Sequence, residues 1–444
     1  MPLKMNAVTK LLRNNLLHDV IALYGVQIAR KAIPLIAVPV LARALGPAGW
    51  GVVAFVLSFS TFLILLVEFG FDLSATREIA RFRESRDECA RIVSGVVGVQ
   101  LLLYGAGVLV CLLVATAIPL LRENPLLVGV GVLAALPQGL SPLWFFQGME
   151  RVRLVAGMDI IGKLLSLAGM LVFVKGPGDA WKVLALYGVA PAVFTSAGFL
   201  MMYRLVPFRL PRLAEMRDAL VRSWPLFLLR ASKSLYGVAN VFLLGLFASP
   251  VIVGYFAAAE KISTAVYGLL NPIEQALFPR LSHMVHHSPE RALRLVRIGL
   301  VLMVCGGTGL MLAVMAGAPL LISLLMGSQF TEAVPALRTL ALFLPFAGVT
   351  IALGFQWLLP LGLERHLNRI ILSGGVVNVI LGSILSSRFG HQGMAWAVVS
   401  TEIFVCAASL LTVAAVAPLW PAGSRASVVP ALLLKRAANP IAER

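Results

Sequence analysis

Charge is what this chain has least of. Only 13% of its 444 residues are Asp, Glu, Lys or Arg, against about 25% in soluble proteins, which excludes an ordinary soluble domain. Acidic residues are scarcer still, 20 against 37 basic, for a net charge of +17. Cysteine is equally sparse. Cys89, Cys111, Cys305 and Cys406 lie far apart without a CxxC, so they read as isolated reduced thiols with no disulfide or metal role. There is no Gly-rich phosphate loop, nucleophile elbow or metal triad, and no cofactor is expected. His283, His286 and His287 cluster in sequence but lack carboxylate or cysteine support for a metal. The basic N-terminus runs straight into the first apolar stretch without a small-residue cleavage site, so no cleaved signal peptide is expected.

Apolar sequence is what fills the chain: 59% hydrophobic, with a mean hydropathy of +0.91. Apolar runs of about 18 residues or more recur throughout, the pattern of an all-α polytopic membrane protein. About twelve spans of roughly 20 residues fit. Their centres fall near Arg30, Ser60, Gly105, Leu136, Leu164 and Ala192, then near Leu235, Tyr267, Met311, Pro345, Val377 and Phe404. The net charge at first sight suggests nucleic acid, but the basic residues sit in short connectors, as the positive-inside rule and anionic headgroups require. One side of the membrane takes about 25 Lys and Arg, including the segment Arg77, Arg81, Arg83, Arg86 and Arg91; the other takes about 6. Both termini are therefore expected in the cytoplasm, which agrees with an even number of spans.

The chain repeats at an offset of about 203 residues. Pro47 falls over Pro250, Gly51 over Gly254, Arg77 over Arg280, and Arg30 over Lys233. Six spans per half give both halves one orientation, related by an axis along the membrane normal. The expected domains are an N-terminal six-helix lobe over 1–205, a C-terminal six-helix lobe over 206–417, and a cytoplasmic tail over 418–444. The basic stretch Arg204–Arg222 links the lobes.

Six basic residues fall inside spans: Arg30, Lys31, Lys163, Arg230, Lys233 and Lys261. Each costs about 2.5–3.5 kcal/mol at a helix centre. Arg30 lies about 16 Å along the helix from Asp19, near the midplane and too deep to snorkel easily. Such groups belong in a bundle interior or a wet cavity. If the lobes face each other, Arg30, Arg230 and Lys233 approach a common cavity that attracts phosphate or pyrophosphate. The alternative is pairing with buried carboxylates such as Asp159, Glu260 or Glu402. Glu402 is mid-span and, like Glu260, is a candidate for ion coupling. Pro34, Pro39, Pro191, Pro272 and Pro345 are expected to bend helices.

Two segments carry a family resemblance. Leu41-Ala42-Arg43-Ala44-Leu45-Gly46-Pro47, with Gly49 and Gly51, is followed by Glu68-Phe69-Gly70-Phe71-Asp72-Leu73-Ser74-Ala75-Thr76-Arg77. They resemble the polysaccharide flippases of the superfamily that also holds multidrug extruders and the peptidoglycan-precursor flippase. The resemblance implies two six-helix lobes around a cation-lined cavity. It also implies movement of an undecaprenyl-pyrophosphate-linked oligosaccharide across the bacterial inner membrane. Arg30, Lys233, Arg230, Lys261 and Lys31 are then the candidate headgroup ligands, and Arg77 and Arg280 line the approach to them. Candidate partners are the lipid-linked substrate, the bilayer, and the polymerase and chain-length regulator of the same pathway. The first helix lacks the acidic residue many extruders use for coupling, and the chain lacks the two extra helices usual in precursor flippases. A cation-coupled extruder remains the rival transporter. A membrane polymerase or ligase would usually present a large periplasmic loop, for which the short connectors leave no room.

Overall fold

The computed structural model describes residues 5–237 and 239–416; the side chains of 5–35, 152–154, 156, 229, 232, 233 and 235–237 lie outside the described set, as does the expected tail. The described residues are almost wholly helical and contain no strand. In chain order the helices begin with α1 (Met5–Glu68), α2 (Phe71–Phe82), α3 (Arg86–Ala117), α4 (Pro119–Arg122), α5 (Pro125–Gly139), α6 (Leu143–Gly148), α7 (Val152–Phe173) and α8 (Ala180–Leu205). They continue with α9 (Leu213–Gly237), α10 (Ala239–Gly245), α11 (Pro250–Tyr267), α12 (Asn271–His287), α13 (Pro289–Leu325), α14 (Val334–Ala341), α15 (Phe343–Thr350) and α16 (Glu364–Val416). Seven helical stretches among the described residues are long and apolar enough to cross a membrane. Each of the twelve expected centres falls within a helix, and two helices carry two centres each. At the helical rise α1 would run about 95 Å, far beyond a bilayer, so it must fold back. It does so at Gly46, with φ 69°; α16 does the same at Gly390, with φ 56°. These left-handed conformations favour glycine, which has no Cβ to clash.

One proline expectation is corrected. Pro272 bends no helix interior, because it stands in the first turn of α12, after a short 3₁₀ turn at Gly268–Leu270. Its missing N–H is harmless there. Pro191 does lie inside α8. Beyond Pro345 the chain enters a π-helical turn, Ile351–Leu358.

By contact the chain forms two compact units. Unit 1 is Met1–Gly46 with Phe59–Leu228, and unit 2 is Pro47–Ser58 with Leu229–Arg444. In unit 1, α2 buries Phe71, Ala75 and Ile79 at helical spacing, and the hydroxyl of Thr76 donates to the carbonyl of Trp144 at 3.0 Å. The start of α9 is fastened to this unit. Phe227 stacks on Phe69 with ring centroids 4.4 Å apart, Ser223 and Ser74 share a hydrogen bond of 2.6 Å, and Arg222 pairs with Glu78. The hydroxyl of Ser94 donates to Glu215 at 2.9 Å.

Unit 2 is organised around a crossing of residues 47–51 and 250–254. A Cβ on Gly51 would overlap the carbonyl oxygen of Pro250, and a Cβ on Gly254 would overlap that of Pro47. The two contacts are reciprocal under the sequence offset. Small residues let membrane helices approach this closely. Next to the crossing, Phe55 stacks on Phe242 with centroids 5.6 Å apart. Overpacking ordinarily costs about 1–3 kcal/mol, and backbone carbonyls cannot swing aside as side chains do. Gly254→Leu is therefore expected to destabilise the protein by about 3 kcal/mol, read as a lower melting temperature in detergent. Gly105→Ala, where a Cβ meets nothing within 4 Å, should melt like the native protein.

Candidate functional site

The two mid-span carboxylates singled out from sequence line one cavity in unit 2. It holds about 380 Å³ and is walled by α10, α11, α15 and α16 together with the π-helical turn. Glu260 comes from α11 and accepts from the amide nitrogen Nδ2 of Asn240 at 3.1 Å. Glu402 comes from α16, is 6% exposed, and meets the hydroxyl of Thr350 at 2.9 Å. That hydroxyl also reaches the carbonyl of Phe346 at 3.2 Å. A hydroxyl has one proton to give. When it goes to Phe346, Glu402 must be the donor and hence protonated; when it goes to Glu402, the carboxylate can be ionised. The site is compatible with both protonation states.

Neutral groups complete this wall. Asn240, Ser263 and Asn378 are buried and line the cavity. Asn240 Oδ1, Asn378 Oδ1 and Ser263 Oγ have no hydrogen-bond partner among the described residues. Buried oxygens are normally satisfied, and an orphaned one needs an explanation. Together with two carboxylates they form an oxygen-rich donor set of the kind that suits a proton or a hard monovalent cation. Sequence reasoning missed Asn240, Asn378 and Thr350. The available signal was weak: uncharged polar residues inside otherwise apolar spans.

The basic candidates are distributed differently. Arg30, Lys31 and Lys233 lie on α1 and α9, but their side chains are outside the described residues. Arg230, on α9, is half-buried. Lys261 follows Glu260 directly yet is exposed and does not line the cavity, because successive positions on a helix face different ways. Arg77 on α2 and Arg280 on α12 are both exposed. Lys163 is paired with Asp159 on α7, Nζ to Oδ2 2.9 Å, at i,i+4 spacing.

Kinked apolar helices, seven stretches of them long enough to span a bilayer, enclose cavities that hold a few polar side chains and define a multi-pass helical membrane fold. Solved structures share that fold. An inward-facing multidrug resistance MATE family transporter of the MOP superfamily superposes with a TM-score of 0.68 at 15% identity, covering 86% of this chain and 93% of that one. The lipid II flippase MurJ, in an inward closed conformation, gives a TM-score of 0.69 at 14% identity, covering 96% and 92%. The chain belongs to the polysaccharide biosynthesis protein family, whose pattern it matches over residues 16–285. Two curated relatives carry the name "Putative O-antigen transporter". The one from Escherichia coli (strain K12) is 26% identical, covering 90% of this chain and 97% of its own length. The one from Shigella dysenteriae is 28% identical, covering 87% and 97%.

Replacing Thr350 by Val keeps its shape and removes the hydroxyl. Leaving a buried polar group without its partner costs about 1–3 kcal/mol, so Thr350→Val should lower the melting temperature in detergent. Thr350→Ser should restore it, and Thr116→Val, at an exposed position on α3, should have no effect.

Proposed function

We propose that this chain is a flippase that moves an undecaprenyl-pyrophosphate-linked oligosaccharide from the cytoplasmic to the periplasmic leaflet of a bacterial inner membrane. Membership of the polysaccharide biosynthesis family carries this reading, and the names of the two relatives point to O-antigen as the glycan class. The basic residues inside apolar spans supply the matching chemistry, since a midplane cation is costly unless it serves an anion or a wet cavity. In this reading both termini are cytoplasmic, and the halves 1–205 and 206–417 rock to alternate access. Arg77 and Arg280 meet the headgroup at the cytoplasmic surface. Arg30, Arg230 and Lys233 hold the pyrophosphate, with Lys261 and Lys31 as further ligands, while the polyprenyl tail stays in lipid. A polymerase and a chain-length regulator receive the product.

The double variant Arg30→Ala/Lys233→Ala should insert normally and abolish surface polysaccharide. Normal glycan display from it would sink the headgroup assignment. Coupling is assigned to Glu402 and Glu260, because their cavity offers two carboxylates and three orphaned oxygens. In proteoliposomes, Glu402→Gln should lose the rate response to an imposed proton or sodium gradient; an unchanged response would exclude Glu402 as the coupling group. The same carboxylates favour a second reading, a cation-coupled multidrug extruder, which dye efflux from inverted vesicles would reveal.

A further inference from the structure

Unit 1 contains a second cavity, of about 310 Å³, enclosed by α5, α7 and α8 and bordered by Glu68 of α1. We propose that this cavity is a carbohydrate subsite that takes a sugar residue of the transported headgroup. The proposal rests on the flippase reading and deepens it by naming where glycan is recognised.

The wall has the chemistry a pyranose needs. A sugar ring presents hydroxyls that both donate and accept, and a face of C–H groups. Asp159 and Lys163 offer an acceptor and a donor side by side, 2.9 Å apart, and keep 32% and 39% of their side-chain surface exposed. Gln138, Ser141 and Tyr187 add an amide, a hydroxyl and a phenol, which donate as well as accept, and all three line the cavity. Pro191 lies one helical turn beyond Tyr187 in α8. It deprives the carbonyl of Tyr187 of its usual helical donor, leaving a further acceptor in that turn. Phe194, Met158 and Leu167 supply the apolar surface for the ring face.

Charge argues against the other guests. The Asp159–Lys163 pair is neutral, so the cavity offers no net positive charge to hold pyrophosphate. Lys163 in turn makes it a poor site for a small cation, unlike the cavity of unit 2. The volume lies at the low end of ligand sites, about 300–1,000 Å³, which suits one or two sugar rings rather than a whole repeat unit. Glu68 and Ser141 also lie within about ten residues of the basic segments at Arg77–Arg91 and Arg151–Arg153, on the side that the lysine and arginine count assigns to the cytoplasm.

The test uses the full-length protein in detergent and, as probe, the monosaccharides released by acid hydrolysis from the host's own surface polysaccharide. Saturation-transfer NMR should show at least one of them binding. Gln138→Leu and the double variant Asp159→Leu/Lys163→Met should each weaken that sugar's binding about fivefold or more, the worth of one lost hydrogen bond. Gln138→Leu changes an exposed side chain and guards against misfolding of the double variant. In the host, Gln138→Leu should reduce glycan display. No bound sugar, or binding unchanged in both variants, overturns the proposal. So does saturation transfer to tetraphenylphosphonium in place of sugars, which assigns the cavity to a lipophilic cation. Loss of display in Arg30→Ala/Lys233→Ala with full display in Gln138→Leu would overturn the subsite and leave the flippase reading standing.

Discussion

Two prolyl carbonyls occupy the space that two glycine side chains would fill, and unit 2 is built on that crossing. Gly51 meets the carbonyl of Pro250, and Gly254 meets that of Pro47. In lipid there is no hydrophobic drive between helices, so close van der Waals approach is the main adhesive available. The crossing binds Pro47–Ser58 into unit 2 although the rest of α1 belongs to unit 1. It also sets Phe55 against Phe242 in a near-parallel stack. Because each half of the repeat supplies one proline and one glycine, neither half can change this contact alone.

Much of the fold is legible in the sequence because bilayer thickness is a strong ruler. Apolar runs of the right length put all twelve span centres inside helices. The folding points at Gly46 and Gly390 follow from the same ruler, since a continuous helix would overshoot the membrane. The offset that pairs Pro47 with Pro250 and Gly51 with Gly254 is visible too. That these residues touch one another is not, because contact between distant segments leaves no local periodicity. The π-helical turn at Ile351–Leu358 has no signal in composition. Pro272 shows the limit of reading residue types singly: a proline in a first turn and one in a helix interior look alike until the helix boundary is known.

The candidate site divides the same way. Charged residues inside apolar runs announce themselves, so Glu260 and Glu402 are found from sequence, and the structure brings them to one cavity. Their neutral partners are silent. Asn240 and Asn378 are unremarkable until their burial and unmet oxygens are seen together, and Thr350 is so until its bond to Glu402 is seen. A buried carboxylate without such neighbours would be intolerable, so the presence of the acids implies polar company without naming it.

Helical geometry then decides which charges cancel and which act separately. At an effective dielectric of about 20, opposite charges 4 Å apart attract by roughly 4 kcal/mol, so a paired acid and base present little net charge to a guest. Asp159 and Lys163 stand four residues apart, share a face and meet, which makes the wall they form locally neutral. Glu260 and Lys261 are adjacent and cannot share a face. The acid turns into the cavity of unit 2 while the lysine stays outside it. The same pair of residue types thus gives a paired, neutral wall at one spacing and, at another, an acid that lines the cavity with its lysine outside it. It is the spacing, more than the count of charges, that decides whether an acid meets a base on its own helix face.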